Sequence, residues 1–182
     1  MRRNAAAPRL GFGARRGAIG VMALLVTVGV TAGACSSSNT AATTTTVNAA
    51  TAEQDIAAAY CTVFNFQDKT VATKIAVIQN GATITGSFSD ALNSSLSSAA
   101  TGSKIDTTDL LTSAQCTTQK LPSPCAKITY DLLGAGGSSL LAAQTGYAVD
   151  VNGKWLVAHL TICTLLGLFY NAEGKAGSPP GC

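Results

Sequence analysis

An Asn152-Gly153 dipeptide stands between two apolar, alternating segments, and it restricts the possible folds more than any other feature of the chain. Both residue types readily adopt the positive φ that a two-residue turn between antiparallel strands requires. Residues 140–151 and residues 155–163 are therefore predicted to be paired strands. Residues 126–133 alternate apolar and polar side chains as well, so they predict a third strand of the same sheet.

Helical spacing of apolar residues precedes these strands. Thr51 and Gln54 have the spacing of a capping box and predict a helix start, while Gly81 and Gly102 are natural helix ends. A less regular run at residues 104–114 predicts one more strand. Helices first and an antiparallel meander afterwards indicate an α+β fold. Three helices are predicted. The first covers residues 51–66, the second begins at Asp68 or Thr70 and ends at Gly81, and the third covers residues 88–102.

The N-terminal region has the three parts of a secretory signal peptide. Residues 1–17 carry all five arginines and no acidic residue, residues 18–30 are uncharged and apolar, and small residues then lead to Cys35. The apolar run is shorter than the roughly 20 residues that a membrane-spanning helix needs. We therefore expect residues 1–34 to be a signal peptide that is removed.

Ala32, Gly33, Ala34 and Cys35 resemble a bacterial lipobox, although leucine is usual where Ala32 stands. The resemblance implies a Cys35 that carries diacylglycerol, with acyl chains such as palmitate, and a protein held on the outer face of the cell membrane. Ordinary secretion is the alternative, because the same small residues fit a plain cleavage site. Residues 35–51 are expected to form a lipidated, disordered tether rich in Ser, Thr and Ala, and residues 52–182 a single domain.

The charge of the chain changes once the signal peptide is set aside. After residue 34 there are seven lysines and nine acidic residues, so the formal charge is −2 although the whole chain has +3. A basic surface that could neutralise phosphates is therefore not expected. This charge excludes nucleic acid as a predicted partner and leaves the membrane, through the lipid, and an unidentified small molecule or protein.

Six cysteines in an exported chain indicate disulfides. Cys163 and Cys182 are the favoured pair, because the first ends a predicted strand and the second ends the chain. Cys116 and Cys125 flank a loop and form a second candidate pair. Cys61 is then left over; it could instead pair with Cys182, and all six could pair if Cys35 carries no lipid. No C-x-x-C spacing and a single His exclude zinc, and no other cofactor is expected.

His159, the one histidine of the chain, is expected on the last strand, on the same face as Trp155. A structural role is the main interpretation, because catalysis would require a partner such as Asp131 or Asp150. Tyr130, Tyr147 and Trp155 fall on three successive strands and could line a pocket with His159, although such aromatic residues more often form core. No catalytic residue is predicted.

The order and spacing of several segments resemble the mycobacterial low-molecular-weight antigen family of exported proteins and lipoproteins. This resemblance implies a cone-like α+β domain, with N-terminal helices packed on a curved antiparallel sheet, similar to the nuclear-transport-factor-2 and cystatin-like shape. It implies a cell-envelope location and no established activity. We expect a non-catalytic envelope protein that binds a ligand or partner; a surface enzyme of the cone-shaped isomerase or cyclase type is the alternative, by analogy of fold alone. The resemblance lies in residues 68–69, 75–81, 126–132, 146–149, 152–155 and 161–163, and in the terminal residues 179–182.

Overall fold

The structure is a computed structural model that describes residues 48–182. The predicted signal peptide and the predicted tether as far as residue 47 lie outside these described residues. Helices and a curled four-stranded antiparallel sheet confirm the α+β fold. The helices are α1 (Ala49–Phe64), α2 (Val71–Ile75), α3 (Thr85–Leu92), α4 (Ser95–Ala99), α5 (Ser113–Thr118) and α6 (His159–Ala172); the strands are β1 (Ala100–Leu111), β2 (Cys125–Gly134), β3 (Ser139–Val151) and β4 (Lys154–Val157).

The sheet is a meander in which each strand pairs with the next one along the chain. The turn between β3 and β4 has positive φ at both Asn152 (58°) and Gly153 (79°), which confirms the hairpin that these residues predict. The carboxylate of Asp150 accepts a hydrogen bond of 2.7 Å from the backbone N–H of Gly153. Register shifts between β1 and β2 and between β2 and β3 interrupt the ladders, and such irregularities increase the local bend of a sheet.

Apolar side chains of β2 divide between two clusters, one on each face of the sheet. The main core joins α1 and α6 to one face, where Ile128 is fully buried. A smaller cluster on the other face contains Cys125, Val149 and Cys116, so it attaches α5 to the sheet. The alternation along residues 126–133 reflects the two faces of the strand. Ala126, Ile128, Tyr130 and Leu132 enter the main core, whereas Lys127, Thr129 and Asp131 lie on the more exposed face.

The C-terminal end of α1 is capped by the side chain of a lysine and not by a glycine. Lys74 is completely buried, and burial lowers the pKa of its ammonium group, an effect that the carboxylate of Asp68 partly offsets. Its Nζ satisfies carbonyl groups that have no partner within the helix. The acceptors are the backbone oxygens of Thr62 (2.9 Å), Val63 (3.3 Å) and Asn65 (2.6 Å).

Several of the predicted helix boundaries are wrong. Helix α2 ends at Ile75, and Gly81 begins a short 3-10 helix instead of ending that helix. Helix α1 begins at Ala49, so the capping box expected at Thr51 does not mark its start. The third predicted helix is two helices, because the Ser94 hydroxyl accepts a hydrogen bond from the Ser97 N–H and starts α4 anew. Strand β1 then begins at Ala100, so Gly102 lies inside a strand and does not end a helix.

The last predicted strand is also wrong beyond Val157, where β4 ends and α6 follows. Where its pairing with β4 ends, strand β3 forms hydrogen bonds with the first turn of this helix. The Ala158 N–H donates to the carbonyl oxygen of Tyr147 (2.9 Å), and the Tyr147 N–H donates to the hydroxyl of Thr161 (2.7 Å). These bonds replace those that a longer β4 would have made, and they place His159 and Cys163 on a helix.

Candidate functional site

A groove of about 280 Å³ lies between α1, the segment after α2 and the β3–β4 hairpin. Trp155 borders it and is otherwise buried, with 4% of its surface exposed. The remaining lining is made of small or apolar side chains and two charged ones, Asp55 and Lys154. The Lys154 ammonium also donates a hydrogen bond to the carbonyl oxygen of Ala76 (3.2 Å). A lining of small and apolar side chains with one carboxylate and one ammonium group suits a ligand with both apolar and charged parts.

The other aromatic residues of the predicted pocket lie elsewhere. Tyr130 belongs to the core, where its ring centroid is 5.4 Å from that of Tyr60, and burial raises the pKa of its phenol to about 12. Tyr147 packs against the small cluster on the opposite face of the sheet and donates a hydrogen bond from its phenol to Gln119 (3.1 Å). Trp155 alone of the four predicted residues borders the groove described above.

His159 lies in the first turn of α6, away from that groove. Its Nε2 is 3.3 Å from the hydroxyl oxygen of Thr83, and its Nδ1 is 3.6 Å from Sγ of Cys163. Asp131 and Asp150, which the sequence offered as partners, accept hydrogen bonds from the backbone N–H groups of Ala143 and Gly153 instead. The structure therefore joins His159 to a cysteine one helical turn away.

Two disulfides connect the cysteines that the sequence pairs. Cys163 and Cys182 are bonded beside a second groove, of about 430 Å³, between α6 and the C-terminal tail. Cys116 and Cys125 are bonded inside the small cluster, with 0% and 1% of their surfaces exposed. Cys61 lies half-buried on α1 and is not a free thiol. Cys35 lies outside the described residues.

No group of three or more His, Cys, Asp or Glu side chains that could hold a metal ion occurs within residues 48–182. Over the same residues, no helix combines the length and apolar character needed to cross a bilayer.

Sequence reasoning missed Asp55, Lys154 and Thr83. Lys154 follows the hairpin turn and Asp55 is an exposed residue of α1, so nothing in the local pattern indicates that they share a groove. Thr83 lies 76 residues before the histidine that it contacts. Contacts at such distances along the chain depend on the packing of α1 and α3 against the sheet and α6.

Comparison with known proteins identifies the domain. Searches of curated proteins and of solved structures give no significant match. The family described as low molecular weight antigen MTB12, C-terminal domain, matches residues 48–173. This range begins at the residue before α1 and ends at the residue after α6, so it includes every helix and strand described above. The chain therefore belongs to the family of the low molecular weight antigen MTB12 C-terminal domain.

Proposed function

We propose that this antigen-family domain is displayed on the outer face of the cell membrane as a lipoprotein anchored through Cys35. The support is the order of basic, apolar and small residues before Cys35. A diacylglycerol on that thiol supplies two acyl chains, which hold a protein on a bilayer where a single chain binds only marginally.

A secreted form without lipid is the second candidate, and one observation favours it. Four of the six cysteines pair with one another, and Cys61 is not a free thiol. Cys35 is the one other cysteine in the sequence. A Cys35 whose sulfur carries diacylglycerol has no thiol left for a disulfide, so lipid on Cys35 and a Cys35–Cys61 bond exclude each other.

The chemical state of Cys35 distinguishes the two forms. We expect the native protein to partition into detergent, with a mature N-terminal peptide that begins at Cys35 and carries the mass of diacylglycerol. Cys35→Ala should move the protein to the aqueous phase, whereas Ser36→Ala should leave it in detergent. A Cys35–Cys61 peptide in the non-reduced digest of the native protein, together with partitioning into water, would establish the secreted form.

The proposed role of the domain is to bind a ligand in the Trp155 groove without transforming it. The groove approaches the volume of small-molecule sites and combines small and apolar side chains, with Trp155 at its border, with two charges of opposite sign. A non-catalytic role agrees with the engagement of Asp131 and Asp150 in backbone hydrogen bonds. The geometry therefore favours recognition through Trp155, Asp55 and Lys154.

Trp155 is the one tryptophan of the chain, so its fluorescence reports directly on the groove. Lipid-soluble and water-soluble extracts of the cell envelope would be fractionated and titrated separately into the purified domain. We expect one fraction to change the emission of Trp155 and to yield a bound mass in native mass spectrometry. The double substitution Asp55→Asn with Lys154→Gln should weaken this binding.

Asp109→Asn with Lys127→Gln is the matched control, since both residues are exposed on β1 and β2 and neither lines the groove. Binding that the groove variant and the control variant retain equally would place the ligand elsewhere. No fluorescence change with any fraction, and no bound mass, would refute the proposal for this groove.

A further inference from the structure

We propose that the Cys163–Cys182 disulfide is a thiol–disulfide exchange site that reacts with an external thiol, with Cys182 as the attacked atom and Cys163 as the leaving group. The two disulfides of the described domain differ strongly in access. Cys182 is exposed, whereas both sulfurs of the Cys116–Cys125 bond belong to buried residues. Since exchange requires a thiolate to reach a sulfur atom, Cys163–Cys182 is the one of these two bonds that is open to attack.

The groove beside this disulfide gives the incoming thiol a place to bind. It is bordered by both cysteines, by the exposed side chain of Leu168 and by residues of the C-terminal tail. The tail is held from its other side, because the Ser87 hydroxyl donates a hydrogen bond of 2.8 Å to the carbonyl oxygen of Pro180. A side chain at Gly181 would collide with the carbonyl oxygen of Thr83, so the tail packs closely there. Cys182 is thus presented at a defined position.

The hydrogen bonds of Thr83 orient His159 toward the leaving sulfur. The Thr83 hydroxyl donates its proton to the carbonyl oxygen of Asn80 (2.9 Å). Its oxygen is therefore an acceptor for Nε2–H of His159, at 3.3 Å. In the neutral ring this arrangement leaves Nδ1 without a proton. Sγ of Cys163 lies beside the ring, 3.6 Å from Nδ1 and 3.8 Å from Nε2, so the unprotonated nitrogen is within reach of the sulfur. The leaving sulfur, the imidazole and the hydroxyl that orients it form a series similar to the nucleophile, base and orienting group of cysteine-based sites.

The exchange balances without an additional oxidant or reductant. A thiol R–SH attacks Sγ of Cys182 as its thiolate, and a new R–S–S–Cys182 bond forms. The electron pair of the old disulfide bond goes to Sγ of Cys163, and the proton of the thiol is shared between that sulfur and Nδ1 of His159. Cys163 can then attack the mixed disulfide and restore the original bond, or a second thiol can release Cys182. The thiol R–SH is a low-molecular-weight or protein thiol.

Reduced glutathione tests the site in the mature chain at neutral pH. Samples would be quenched with acid, alkylated and digested, so that each cysteine is followed separately by mass spectrometry. We expect Cys163–Cys182 to open at least about tenfold faster than Cys116–Cys125, with glutathione attached to Cys182. His159→Gln and Thr83→Val should each slow the opening of Cys163–Cys182, whereas Thr107→Ala, at an exposed position of β1 that does not line the groove, should not.

The buried Cys116–Cys125 bond is an internal control for folding in every variant, because a variant that unfolds would expose both bonds together. The ratio of the two rates therefore separates lost chemistry from lost structure. Equal rates of opening in the unsubstituted protein would overturn the proposal. Glutathione on Cys163 instead of Cys182, or an unchanged ratio in both His159→Gln and Thr83→Val, would overturn it as well.

Discussion

The phenol oxygen of Tyr60 on α1 lies 3.1 Å from the carbonyl oxygen of Tyr147 on β3 and donates a hydrogen bond to it. The same carbonyl oxygen accepts hydrogen bonds from the N–H of Ala158 and from the hydroxyl of Thr161, at the start of α6. One backbone position of β3 thus connects the first helix, the central sheet and the last helix. Buried hydrogen bonds of this kind specify one arrangement of the three elements, because leaving any of these groups unpaired is costly.

Gly146→Ala is expected to destabilise the domain by about 1–3 kcal/mol, the usual range for overpacking a core. A Cβ atom at Gly146 would overlap the phenol oxygen of Tyr60 and lie 2.9 Å from a methyl group of Thr161. Denaturant unfolding measures the change. Gly167→Ala is the matched control, because nothing lies within 4 Å of its Cβ position and α6 should gain up to about 1 kcal/mol. Equal effects of both substitutions would contradict the packing argument.

Stability should fall at alkaline pH because of two buried phenols. Burial raises the pKa of Tyr130 to about 12 and, together with Tyr130, raises the pKa of Tyr60 well above 10. In the unfolded chain both phenols ionise near pH 10. Their contribution is therefore complete below about pH 10 and is lost as the pH rises toward about 12, at up to about 1.4 kcal/mol per pH unit for each phenol.

Tyr130→Phe tests this pH dependence, because it removes one of the two protons that the folded state retains. The free energy of unfolding would be measured from pH 8 to about pH 11.5, the window of the raised pKa values. The decline should be shallower than in the unsubstituted protein. Parallel curves for Tyr130→Phe and the unsubstituted protein would show that this phenol is not the cause.

Lys74→Met is expected to lower the free energy of unfolding by about 2–4 kcal/mol, because it leaves carbonyl groups at the end of α1 without a donor. Methionine keeps the length and apolar part of the side chain, so the effect isolates the ammonium group. Lys127→Met, at an exposed position of β2, should change stability by less than about 0.5 kcal/mol. Equal losses for both substitutions in chemical denaturation would disprove a capping role.

Removing the Cys163–Cys182 bond by a double substitution to serine should cost about 3 kcal/mol, as expected for a closed loop of this length. The Cys116–Cys125 bond closes a shorter loop, but its double serine variant should lose more stability because two hydroxyl groups would be buried in an apolar cluster. Thermal unfolding of both variants gives the order. A smaller loss of stability for the Cys116–Cys125 variant than for the Cys163–Cys182 variant would contradict this expected order.

The strands and the hairpin could be predicted because their signals are local. Strand β2 extends only one residue beyond each end of the predicted segment 126–133, since alternation records which side chains are buried. The α+β class followed from the order of the elements. The candidate site could not be predicted, because Asp55 and Trp155 are brought together only when α1 packs across the β3–β4 hairpin. No periodicity in either segment reports that approach.

Local signals in the sequence were sufficient to locate the turn at Asn152 and Gly153 and the alternating strands before it. That residues 159–163 are helical depends on tertiary packing. His159, Thr161 and Cys163 have the period of a strand, yet His159 and Cys163 also have the spacing of one helical turn, so the short apolar run was compatible with both. The helix forms because Ala158 and Thr161 complete the hydrogen bonding of Tyr147 on β3 while Ile162, Leu165 and Leu166 enter the core.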